Sequence, residues 1–77
     1  MTRLDTLTGE MQAMVGVARR QWHRYIELRR WAAEAERAND FPKFIRWKTR
    51  ARLCRASARR HLNWAFQRKA EIEAISC

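Results

Sequence analysis

Few side chains in this sequence have the chemistry of a catalytic or metal centre. His23 and His61 are the only histidines, and Cys54 and Cys77 the only cysteines. Zinc is the metal such residues suggest, and it takes its Cys and His ligands at short, recurring separations. The separations here match no zinc pattern, and Cys54 falls on an apolar helical face, so neither metal nor cofactor is expected. His61 lies at the edge of that face, where a packed ring is its expected role. No Ser-His-Asp set, no paired carboxylates for acid–base work and no glycine-rich phosphate loop appear. Glu34 with Glu36, and Glu71 with Glu73, read as end-of-helix carboxylates, solvated or paired with neighbouring arginines. The chain is therefore expected to bind rather than to catalyse.

The residues that point to a partner are basic. The formal net charge is +9, from 17 Lys and Arg against 8 Asp and Glu. Such a charge opposes compaction by self-repulsion, so its retention suggests an anionic partner. The charge is unevenly distributed. Residues 1–40 hold seven basic and six acidic side chains, a net of +1, whereas residues 41–77 hold ten and two, a net of +8. No acid stands between Phe41 and Ala70. Lys48, Arg52, Arg55 and Arg59 follow i, i+4, i+7 and i+11, so they line one side of a helix over ~16 Å. Arg46, Arg50 and Arg68 fall on the other flank of the apolar face, with Arg60 farther round. Like charges at these spacings cost a helix a few tenths of a kcal/mol per pair, which suggests that the row is kept for contact. Arg is preferred to Lys, and its planar guanidinium grips phosphate or carboxylate bidentately.

Two elements must position this row. Only two Gly and one Pro occur, which favours long helices over a sheet with several turns. The one clear interruption is Asn39-Asp40-Phe41-Pro42. Asn tolerates the left-handed geometry that ends a helix, Asp is a good N-cap, and Pro suits a first turn. The fold class expected is all-α, a single domain over residues 1–77. A first helix covers about 3–38, a turn 39–40, and a second helix about 41–75. Thr2 and Asp5 have capping-box spacing. Equal helices joined by a minimal turn pack antiparallel.

The apolar periodicity agrees. The first helix is expected to bury Leu4, Met11, Val15, Ala18, Trp22, Ile26 and Ala33, with Leu7, Met14 and Tyr25 beside them. The second is expected to bury Phe44, Trp47, Ala51, Cys54, Ala58, Leu62, Ala65 and Ile72. Antiparallel pairing sets Trp31 near Trp47 and Phe44, Tyr25 and Ile26 near Cys54, and Val15 near Ala65. Arg29 and Lys69 intrude on these faces and are expected to snorkel from the edge. A second, weaker stripe remains: Val17, Leu28, Trp31 and Ala35 on one helix, Leu53, Ala56 and Trp64 on the other. One hairpin cannot cover both stripes, so pairing of two hairpins as a four-helix bundle is expected. Trp22, Trp31, Trp64, Leu53 and Leu28 are the candidates for stacking or interface contacts.

The leading expectation is contact with the nucleic-acid backbone through the second helix, with aromatics available to unpaired bases. The alternative is an inhibitor or adaptor that grips an acidic surface of a host protein, a common role for small basic helical proteins of phages and plasmids. No apolar run approaches the ~18 residues of a membrane span. Cys54 and Cys77 are 23 residues apart, roughly 35 Å on a continuous helix, too far for a bridge. Cys77 could cross-link two chains. The cysteine usage fits a reducing cytoplasm.

Overall fold

The computed structural model describes residues 2–76. Met1 and Cys77 lie outside them, and with them the cross-link expected of Cys77. Thr2 caps the first helix, accepting a hydrogen bond from the Asp5 amide at 3.1 Å while the Asp5 carboxylate accepts from the Thr2 amide at 3.4 Å. Helix α1 then runs Arg3–Arg37 and helix α2 runs Phe41–Ser76, within a residue of the expected boundaries.

The turn between them is a Schellman motif. Asn39 takes φ 58°, the left-handed region in which Asn is better tolerated than most residues. Its amide donates to the Glu36 carbonyl at 3.0 Å, and the Asp40 amide donates to the Ala35 carbonyl at 2.9 Å. These bonds satisfy two carbonyls that the helix end would otherwise leave open. Asp40 at once caps α2, its carboxylate accepting from the Lys43 amide at 3.3 Å. Helix termination and initiation thus share three residues, and the chain folds straight back. Trp31 meets Trp47 at 5.4 Å between ring centroids, and the Arg68 guanidinium meets Glu10 at 2.7 Å. Those two pairs fix an antiparallel hairpin measuring 56 × 16 × 13 Å.

The seam has a strict repeat. On α1 it is Leu7, Met11, Met14, Ala18, Gln21, Tyr25, Leu28, Ala32 and Ala35, all buried or half-buried. On α2 it is Phe44, Trp47, Ala51, Cys54, Ala58, His61, Ala65, Arg68 and Ile72, again all buried or half-buried. Spacings alternate three and four, a heptad period of 3.5, as in a coiled coil. Eight of the described residues are buried, and six of these are alanines: Ala18, Ala32, Ala35, Ala51, Ala58 and Ala65. Small seam residues let the axes approach closely.

This corrects the face expected on α1. Leu4, Trp22 and Ile26 are 37%, 46% and 42% exposed, while Leu28, expected on an outer stripe, is 1% exposed. Ala35 is buried too. The expected face follows mainly spacings of four, and such a row drifts around the helix away from a 3.5 seam. On α2 the face is as expected except for Leu62, which is 41% exposed. Leu62 flanks the seam between Ala58 and Ala65 rather than occupying it. With the face turned, Arg29 and Lys69 are simply exposed and have no apolar face to escape. Arg29 lies over the Tyr25 ring at 5.7 Å.

Candidate nucleic-acid interface

Opposite the seam, α2 presents a stripe spaced i, i+4, i+7, i+8, i+11 and i+15 from Arg52. Arg52, Arg55, Ala56, Arg59, Arg60, Asn63, Trp64 and Gln67 line one open hollow of about 540 Å³ there. Ala56 makes the hollow, because its short side chain stands between long arginines one turn either side. Arg52, Arg59 and Arg60 make no ion pair among the described residues, and no carboxylate lines the hollow. Four arginines therefore line one open hollow that no carboxylate shares.

The other expected basic residues are elsewhere. Lys48 lies over the Phe44 ring at 5.2 Å and Arg50 over Trp47 at 5.3 Å, both near the turn. Arg46 is exposed among them. Arg55 leans toward α1, 5.9 Å from the Tyr25 centroid, and so joins the hollow to the seam. Arg68 lies apart from the hollow: its side chain is 31% exposed and bridges Glu10 at 2.7 Å and Glu71 at 3.3 Å. It occupies a seam position at which the carboxylates offset its charge.

The aromatic candidates divide similarly. Trp31 is half-buried against Trp47. Trp22 lies 5.0 Å from Tyr25 and lines a different groove of about 400 Å³ with Val15, Ala18, Arg19, Ala58 and Leu62. Leu53 is 66% exposed, whereas Leu28 is enclosed and has no surface to offer a partner. Trp64 alone among the tryptophans lines the basic hollow. Its indole packs edge-on to His61 at 5.0 Å and 75°. His61 is itself fixed, with Nδ1 2.7 Å from the Ser57 carbonyl oxygen. A carbonyl only accepts, so Nδ1 carries the proton and donates.

Sequence reasoning did not single out Asn63 and Gln67, which also line the hollow. Their signal was present in the spacing: they stand eleven and fifteen residues after Arg52, on the same stripe. Among the described residues no three of His, Cys, Asp and Glu gather as metal ligands, and no helix is long and apolar enough to cross a membrane. Cys54 is a half-buried free thiol in the seam. Comparison with known protein families, curated proteins and solved structures returns no match to this chain.

Proposed function

We propose that this protein binds nucleic acid through the outer face of α2, chiefly by contacts to the phosphate backbone and with little sequence specificity. The observation that carries the reading is that Arg52, Arg55, Arg59 and Arg60 line one hollow that no carboxylate lines. Guanidinium groups bind phosphate oxygens bidentately, and each phosphate neutralised releases condensed counterions. A gel-shift panel of duplex DNA, single strands and structured RNA at near-physiological salt tests it. Binding to at least one is expected; binding to none overturns the reading.

The proposal includes a homodimer, two hairpins pairing as a four-helix bundle. Trp22, Ile26, Leu62 and Phe66 stay 46%, 42%, 41% and 64% exposed, more large apolar surface than a lone hairpin covers. The groove of Val15, Ala18, Trp22, Ala58 and Leu62 is the face proposed for pairing. Sedimentation velocity at micromolar concentration should give about twice 9.3 kDa, and a monomer alone would refute the dimer. The compartment proposed is a reducing cytoplasm, in keeping with the free thiol of Cys54.

One observation favours a second reading, an inhibitor or adaptor gripping an acidic protein. Arg19 stands at the edge of the same apolar groove, and a groove with a basic edge suits an amphipathic helix with acidic flanks. Affinity purification with and without nuclease separates the two readings. A partner captured equally in both arms, with no gel shift, would favour the protein target.

A further inference from the structure

Four features of the basic hollow point beyond phosphate contact alone. First, it contains an aromatic side chain with free surface: Trp64 is 41% exposed beside four arginines and two amides. Second, the indole is held in place. The Ser57 carbonyl orients His61 through the 2.7 Å contact at Nδ1, and His61 meets the indole edge-on at 5.0 Å. Third, Asn63 and Gln67 each bring one amide with both donor and acceptor capacity. Fourth, the stripe from Arg52 to Gln67 extends roughly 22 Å along a helix, and the hairpin that carries it is a rod 56 Å long.

These features discriminate between nucleic-acid forms. In a duplex the bases are already stacked, so none is available to an indole. Its surface also curves away from a long rod laid against it. A single strand can follow the rod, and its unstacked bases have faces and edges available. Resting on the nucleic-acid reading above, we infer that the hollow is a single-strand site. One base stacks on Trp64, flanking phosphates pair with Arg52, Arg59 and Arg60, and Asn63 or Gln67 meets the base edge. Every base has a π-face, so the site tolerates any sequence.

The other tryptophans do not offer the same combination. Trp31 and Trp47 pack on each other, and Trp22 lines the apolar groove instead. Stacking is therefore assigned to Trp64 rather than shared among the tryptophans.

The test is fluorescence anisotropy with a labelled 20-nucleotide single strand, as DNA and as RNA, and with the blunt duplex of the same sequence. Wild type, W64A and W64F are compared at near-physiological salt, with helical circular dichroism as the check on folding. Wild type should hold a single strand more tightly than the duplex. W64A should weaken single-strand binding by about tenfold or more, the usual effect of removing one base–aromatic stack, and leave duplex binding nearly unchanged. W64F, which keeps a ring, should retain most of the affinity. If W64A loses helicity, Trp64→Gln takes its place. Equal affinity for strand and duplex, or equal losses on both, overturns the single-strand inference while leaving nucleic-acid binding intact. No binding to any probe overturns both.

Discussion

At the residue scale, the decisive positions are small ones. Ala65 is 4% exposed where the helices meet. Ala65→Leu would force extra methyl groups into the buried seam, a change that costs about 1–3 kcal/mol. Urea denaturation followed by circular dichroism should show that loss, and an unchanged midpoint would mean that the helices are not held this close. Arg68→Ala is expected to do less. It breaks two ion pairs, but the side chain is 31% exposed, and pairs so exposed contribute under about 1 kcal/mol. Nucleic-acid affinity should stay near wild type, because Arg68 is committed to Glu10 and Glu71. A loss as large as that from altering Arg59 would contradict that assignment.

At the element scale, both helices and their turn were legible because their signals are local. Asn39, Asp40 and Pro42 mark a stop and a start that no other segment imitates, and Thr2 with Asp5 marks the first cap. The acid-free stretch gave the basic helix equally directly. Which face of α1 packs was not legible in the same way. Leu4, Trp22 and Ile26 are larger and more apolar than Ala18, Ala32 and Ala35, so a reading weighted by hydrophobicity follows the large residues. The hairpin buries the small ones, together with Leu7 and Leu28. Gln21, His61 and Arg68 also occupy seam positions, and these polar residues conceal the 3.5 period from a pattern of apolar residues alone. For the site, the spacing of Arg52, Arg55 and Arg59 was readable. The hollow was not, because it depends on the gap left by Ala56 and on Trp64 propped by His61. The helices also carry an avoidable weakness. A Cβ added at Gly9 would meet nothing within 4 Å, and one added at Gly16 would meet only the Arg20 side chain at 3.6 Å. Gly9→Ala with Gly16→Ala should stabilise the hairpin by roughly 0.5–1 kcal/mol per site, seen as a higher Tm. A lower Tm would mean that something packs against that end of α1.

At the scale of the whole molecule, the basic hollow and the apolar groove share no lining residue. Residues 41–77 contribute +8 of the net +9, and the basic hollow faces away from the seam. The groove of Val15, Trp22 and Leu62 runs along the flank. Assembly and target binding can therefore use separate surfaces, and a dimer would carry two hollows. Three arginines, Arg52, Arg59 and Arg60, on phosphates of a single strand would give a log–log salt slope of about −2. A slope near zero would place the affinity in uncharged contacts. The most direct test of the central claim is the nucleic-acid affinity of Arg52→Glu/Arg59→Glu/Arg60→Glu beside wild type at one salt concentration. These three make no ion pair among the described residues, and Arg55 is spared because it reaches Tyr25, so the hairpin should stay folded. Loss of binding with helical circular dichroism unchanged is the result predicted; binding that survives the triple reversal would contradict an interface on the outer face of α2.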